Sequence, residues 1–397
     1  MKKSTLFICI LAACSGTAFA ADDAAAPKAA VPTISDMLDA SGVAVTGYLD
    51  VAYNKMNSTG LQAGGAASRI FDTPGATSTQ TFNNFNLQQA AVIISKAPKE
   101  GFGGLVNLTA GQDAPGIAAT GLGLGDANHY LDLTQAYASY ATGPVTVIGG
   151  KYATLAGAEL ITSPSNKNYS RAWMFGWGPY THTGMRATYV ASDMFTLIGG
   201  VNNGWDQVSQ IQGTSGKTGE LGFILTPSPM FSLATTYLNG KEGSTQGLTT
   251  GGTIGTRSYL DVIGTINATD KLNFVADYAN GSQKNVTLAG LAAPIEAKWN
   301  ALALYANYQF TDVWRASYRH EGFDDKNGFR SGLLIGGVAT GQKLTSNTLT
   351  VGYAVDKKLE LRGEVRFDKS TQTAFQLSNG GLSNTQHSYA LEAIYQF

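Results

Sequence analysis

His129, His182, His320 and His387 are the chain's only imidazoles, and any acid–base or nucleophilic chemistry would have to start from them. A hydrolase site needs a histidine beside a serine and a carboxylate or amide. These four fall on separate strands or loop edges with no nucleophile signature nearby, so the chain reads as a non-enzyme. Asp324-Asp325-Lys326-Asn327-Gly328 has the composition of a calcium loop but fails the D-x-D-x-D/N-G spacing, and reads as a turn. No metal, nucleotide or other cofactor motif stands out, and no cofactor is expected. Cys9 and Cys14, the only cysteines, lie near the amino terminus, so thiol and disulfide chemistry are not expected beyond it.

The charged residues follow a spacing that suits a different task. Trp314, Ala316 and Tyr318 alternate with Arg315, Ser317 and Arg319. Leu359, Leu361, Val365 and Phe367 alternate with Glu360, Arg362, Glu364, Arg366 and Asp368. Period-2 alternation puts each set on its own face of a strand. Arg315, Arg319, Arg362 and Arg366 are therefore candidate lining of an aqueous lumen, and Arg186, Arg257, Asp50, Asp261 and Asp277 share their parity. A charge on a lipid face would cost about 2–4 kcal/mol at mid-depth. Such rows set ion preference through the local field. Alternatively, Arg362 and Arg366 pair with Glu360, Glu364 and Asp368 and stiffen the wall.

A second constellation lies in one long link, 156–179. It carries Glu159, Lys167 and Arg171 together with Trp173, Met174, Phe175 and Trp177. Those apolar side chains are poorly suited to water. Folding inward would bury them and bring Glu159, Lys167 or Arg171 to the axis as constriction residues. The alternative is an outer girdle or a subunit contact.

The elements that must position these residues are strands. Sixteen are expected, near 43–56, 82–96, 102–113, 129–141, 145–155, 180–191, 194–206, 217–226, 230–240, 257–268, 271–281, 297–310, 313–323, 342–355, 358–369 and 385–397. Many approach the ten residues or so of a tilted barrel strand. Seven links are short and turn-like, such as Thr269-Asp270 and Thr311-Asp312. Eight are longer and rich in Gly, Ser, Thr and Asn, and the two kinds alternate. Tyr389, Leu391, Ala393, Tyr395 and Phe397 share one face of the last strand, with Glu392 and Gln396 on the other.

Composition agrees with this reading. Charged residues are 14%, against about 25% in soluble domains, while aromatics are 10% and glycines number 48. No apolar run after the leader reaches the 20 residues or so of a membrane helix. The fold expected is an all-β transmembrane antiparallel barrel over 43–397, with short periplasmic turns and long extracellular loops. Lipid gives backbone groups no partner, so a spanning sheet must close on itself.

Lys2 and Lys3, an apolar run from Leu6 to Ala13 and Ala18-Phe19-Ala20 form the layout of a signal peptide over 1–20. A lipoprotein cut before Cys14 is the alternative. Residues 21–42 are expected to form a periplasmic segment with one short helix over Thr33–Ala40, stopped by Gly42. Losing Lys2 and Lys3 moves the formal charge from −1 to −3, which argues against nucleic acid as a partner.

The chain also resembles the OmpL-like β-barrel porin family of Gram-negative outer membranes. The resemblance runs from Ile34-Ser35-Asp36-Met37-Leu38 into Thr46-Gly47-Tyr48-Leu49-Asp50. It is firmest at Gly150-Lys151-Tyr152 with Gly157-Ala158-Glu159, and continues through Asn168-Tyr169-Ser170-Arg171, Tyr180-Thr181-His182-Thr183-Gly184 and Asn203-Gly204-Trp205-Asp206. It implies a passive outer-membrane channel for small hydrophilic solutes and ions. A solute-specific channel for a sugar or aromatic compound is one alternative, and a structural or adhesive barrel with a blocked lumen is another. Outer-membrane lipid is the expected surrounding, and a homotrimer is expected by analogy with barrels of this size. Acids and bases nearly balance, so strong ion selectivity does not follow from the sequence.

Overall fold

The computed structural model describes residues 38, 40–61, 83–122, 130–209, 216–243 and 254–397. The signal-peptide reading, most of the short-helix reading and His129 lie outside the described residues. Leu38, Ala40 and Ser41 are helical, and Gly42 follows with φ of 68°.

From Ala44 the chain forms one closed antiparallel barrel of sixteen strands. In chain order these are β1 (Ala44–Met56), β2 (Asn83–Lys96), β3 (Gly101–Ala110), β4 (Leu131–Thr142), β5 (Val145–Ala153), β6 (Thr181–Ser192), β7 (Phe195–Asn202) and β8 (Thr218–Ser228). Then follow β9 (Phe231–Gly243), β10 (Ile254–Asn267), β11 (Leu272–Val286), β12 (Ile295–Gln309), β13 (Trp314–Asp325), β14 (Gln342–Ala354), β15 (Leu359–Ser370) and β16 (Thr385–Gln396). Each strand pairs with its chain neighbours, and β16 returns to pair with β1, Val51 opposite Ala393.

Burial follows the alternation in the sequence. Along β14, Gln342, Leu344, Ser346, Thr348 and Thr350 are buried while Lys343, Thr345, Asn347, Leu349 and Val351 are exposed. The outward faces are apolar: Trp314, Tyr318, Leu349, Leu361, Phe367, Leu391 and Tyr395 are all exposed. The inward faces carry Arg319, Arg366, Asp261 and Asp277, all buried. A water-soluble fold inverts that arrangement; a barrel in lipid requires it. Aromatic pairs near the short-turn rim, such as Trp314–Tyr353 at 4.6 Å and Phe102–Tyr140 at 4.8 Å, suit an interfacial girdle.

Short-turn chemistry is local. The Thr269 hydroxyl accepts from the Lys271 and Leu272 amides, and Thr311 does the same for Val313 and Trp314. Asp356 accepts from Lys358 and Leu359 at 2.7 and 2.8 Å, which holds its carboxyl below its ordinary pKa.

The strand expected over 194–206 ends at Asn202. Gly204 and Asp206 take left-handed backbone, with φ of 115° and 52°, and turn Trp205 into the core. The Asp206 carboxylate then accepts from the Tyr180 and Thr181 amides, at 2.9 and 2.8 Å. Burial raises that carboxyl to about 6 against the pull of the two donors. Five short strands in the long links were not expected; Ser58–Leu61, Phe375–Leu377 and Leu382–Ser383 form one small sheet, and Leu334–Ile335 with Val338–Ala339 another.

Candidate functional site

The link between β5 and β6 folds inside the barrel. Gly157, with φ of 92°, lets the chain leave the wall, and the next amides cross to the far side. Gly157 N–H donates to Asp261 on β10 at 2.9 Å, and Ala158 N–H to Asp277 on β11 at 2.7 Å. The Asn166 side chain closes the tip, bonding Leu160 N–H and the Leu160 and Thr162 carbonyls within 2.9 Å.

The return limb is strapped to β13, β14 and β15. Glu364 accepts from the Tyr169 and Ser170 amides at 2.8 and 3.0 Å, and Glu321 from Trp173 N–H at 2.7 Å. Arg319 donates to the Ser170 carbonyl at 2.6 Å, Arg366 to the Arg171 carbonyl at 2.6 Å, and Arg315 to the Lys167 carbonyl at 2.7 Å. Carboxylates therefore meet loop N–H groups and guanidinia meet loop carbonyls. That matching satisfies main-chain groups that a loop inside a barrel would otherwise leave unpaired.

Apolar packing completes the seat. The helical turn Trp173–Trp177 stacks its two indoles at 5.2 Å, and Trp177 meets Phe323 of β13 edge-on at 4.5 Å. One continuous buried cluster joins Trp173, Met174 and Trp177 to Trp205, Tyr259, Trp299, Phe329 and Phe375. Arg366 lies over the Trp173 ring at 5.2 Å.

The residues singled out from sequence occupy distinct positions. Glu159 is buried, 2.5 Å from Arg319 Nη1, and also accepts from Ala172 N–H. Arg171 is buried and donates to the Leu160, Tyr169 and Ile161 carbonyls, stapling the two limbs together. Lys167 alone of the three is exposed. Arg319 and Arg366 are wholly buried. Arg362 spans Glu360 at 2.8 Å and Glu392 at 3.2 Å, and Arg315 reaches Glu360 at 2.6 Å. Glu321 went unremarked in the sequence, although it stands two residues beyond Arg319 on the same face, and parity alone would have placed it inside.

Among the described histidines, His182 is buried between the Gly204 carbonyl and Thr154, and His320 meets Asn347 on an exposed face. His387 sits beside Phe367 and Tyr389.

Glu364→Ala is expected to unseat the return limb, because hydrogen bonds to a charged acceptor contribute about 1.5–3 kcal/mol each. Hydrogen exchange at the Tyr169 and Ser170 amides should accelerate by about tenfold or more. Glu364→Gln, which keeps an acceptor, should recover part of the protection.

A closed sixteen-stranded barrel, apolar outside and charged inside, with one long loop seated in its lumen, defines the class of outer-membrane porins. The chain belongs to the BBP2 family, described as "Putative beta-barrel porin-2, OmpL-like", whose model matches residues 42–397. No curated protein matches it. Solved outer-membrane proteins share the fold. The channel DcaP of Acinetobacter baumannii is 14% identical, with a TM-score of 0.59 over 89% of this chain and 97% of that one. An anion-selective porin from Comamonas acidovorans is 12% identical, with a TM-score of 0.58 over 89% and 99%. OmpT of Vibrio cholerae, in a trimer form, is 11% identical, with a TM-score of 0.56 over 89% and 99%. At these identities the likeness speaks to fold alone.

Proposed function

We propose that the barrel is a passive channel for small hydrophilic solutes and ions, narrowed by the loop over 156–179. The seating of that loop on Glu364, Glu321, Arg319 and Arg366 supports this reading, since a constriction must hold its shape against solute traffic. In this reading Lys167 is the constriction residue that meets solute, while Glu159 and Arg171 fix the loop's path. Arg315, Arg319, Arg362 and Arg366 form the charged inner wall on which the loop rests. Export through a signal peptide cut after Ala20, a periplasmic segment over 21–42 and assembly as a homotrimer complete the proposal; the trimer form of the Vibrio OmpT motivates the last.

The apolar cluster between the loops and the inner wall of β9–β14 favours one second reading, a structural barrel whose lumen is blocked. Planar-bilayer recording of the full chain separates the two. Discrete steps that scale with salt are expected of the channel. A correctly folded barrel that inserts and yields no steps would leave the blocked lumen standing.

A further inference from the structure

The loop tip meets the wall on one side, where Ser163 N–H donates to Gln89 of β2 at 3.4 Å, and leaves a hollow on the other. Between it and the periplasmic ends of β10–β13 lies a cavity of about 610 Å³. Its lining includes Lys167, Lys271 and Arg315 against a single carboxylate, that of Asp270. The hollow is open to solvent and lined by apolar as well as polar groups. With Arg315 paired to Glu360, its two lysines still outnumber the one carboxylate, which makes a positive field.

Arg315 carries two tasks. Its Nη1 holds the Lys167 carbonyl at 2.7 Å and its Nε holds Glu360 at 2.6 Å. Its Nη2 has no hydrogen-bond partner, although only 8% of the residue is exposed. A buried guanidinium N–H without an acceptor is costly unless something supplies one. Glu360 does not, because its Oε1 meets Arg315 Nε and its Oε2 meets Arg362 Nε. The Lys167 ammonium is held by no hydrogen bond or ion pair among the described residues, and its charged neighbours are Arg315, Glu360 and Arg362. Gly352 makes this arrangement sterically feasible. A Cβ there would lie 2.6 Å from Glu360 Oε1 and 2.8 Å from Arg315 Nε. The cavity floor is a chain of amides: Asn273 bonds Asn267 at 2.8 Å and accepts from Asn307 at 3.0 Å.

We propose that this cavity is an anion subsite at the periplasmic mouth, which takes a small solute bearing a carboxylate or phosphate group. Lys167 supplies the charged donor, Arg315 behind it and Lys271 at the rim the attracting field, and the amides a polar floor. A carboxylate or phosphate offers several acceptor oxygens, enough to meet the ammonium and the floor amides together. The subsite names a solute class for the proposed channel and depends on that reading only for its biological use.

Two measurements on the full chain test it, with inorganic phosphate as the probe. In planar bilayers, phosphate added on the periplasmic side should reduce chloride current saturably, and on the opposite side should act far more weakly. Calorimetry on the detergent-solubilised barrel should show phosphate binding, weakened about tenfold in Lys167→Gln, a change equal to about 1.4 kcal/mol. Gly352→Ala, which displaces Arg315 and Glu360, should weaken binding as well. Lys298→Gln, at an exposed pair with Glu296 on the far rim, should leave both readouts unchanged. Phosphate binding that is absent, or equal in wild type and Lys167→Gln, overturns the subsite while leaving conduction untouched. Lys167-dependent binding in a barrel that passes no current keeps the subsite and removes the channel.

Discussion

Replacing both Arg319 and Arg366 with alanine is expected to release the loop over 156–179 while leaving the barrel closed. Arg319 bonds Glu159, the Ser170 carbonyl and hydroxyl, and Thr348. Arg366 bonds Asp368, Glu321 and the Arg171 carbonyl. Removing one partner of a buried ion pair costs about 3–5 kcal/mol, because the other charge stays behind unpaired. Here Glu159 and Glu321 lose their cation, as does Asp368 on the wall, and the two glutamates also hold loop amides. The strain falls on the loop, since the sheet is held by its own ladder from β1 round to β16. New protease cleavage within 156–179 and larger, noisier single-channel steps are the expected readouts, with the heat-modifiable gel band of the folded barrel retained. An unchanged cleavage pattern would show that apolar packing around Trp173 and Trp177 seats the loop without the charges. The double variant Glu159→Met with Arg319→Met sharpens the point. Apolar replacement of a whole buried pair is often neutral or better, so this variant should hold the loop more firmly than Arg319→Ala alone.

The parts of this architecture legible in the sequence are those that depend on period 2. Arg315, Ser317 and Arg319 against Trp314, Ala316 and Tyr318 already state which face meets lipid, and β13 is built on that division. The alternation of short and long links likewise follows from antiparallel closure with an even number of strands. What the sequence does not carry is which inward group meets which loop amide. Gly157 finds Asp261 104 residues away, and Tyr169 finds Glu364 195 residues away. No local pattern encodes such pairs; they exist only once the barrel closes and fixes the lumen's width. Arg171 illustrates the same limit. Its charge marks it as a constriction residue by type, yet the folded loop turns it inward onto three of its own carbonyls. The overrun of the strand expected over 194–206 has a nearer cause. Asn203-Gly204 is a turn dipeptide that already marks the end of the strand, and the left-handed backbone at Gly204 and Asp206 brings the Asp206 carboxylate to the amides of Tyr180 and Thr181.

Closure rests on the ladder from Tyr48–Gln396 to Met56–Ser388, and Gly47→Val, at the end of that seam, is expected to damage it severely. Gly47 and Phe397 exchange both backbone hydrogen bonds, each at 3.0 Å, where β16 returns to β1. The space a Cβ would take at Gly47 is already filled: it would lie 2.5 Å from the Phe397 ring and 2.6 Å from the Ala91 carbonyl oxygen of β2. The ring could swing toward lipid, since Phe397 is half exposed, but the Ala91 carbonyl belongs to the neighbouring ladder and cannot yield. Overpacking of this kind costs about 1–3 kcal/mol where the surroundings relax, and more where they cannot. An opened seam would add unpaired N–H and C=O groups facing hydrocarbon. The folded fraction recovered on refolding into lipid vesicles, read from the heat-modifiable band, should fall about tenfold or more. Phe397→Ala in the same chain removes the ring contact but not the carbonyl one, so it should rescue only part of the loss. Full rescue would place the whole clash on the ring, and wild-type yield from Gly47→Val alone would show that the seam is not as tightly closed as this geometry requires.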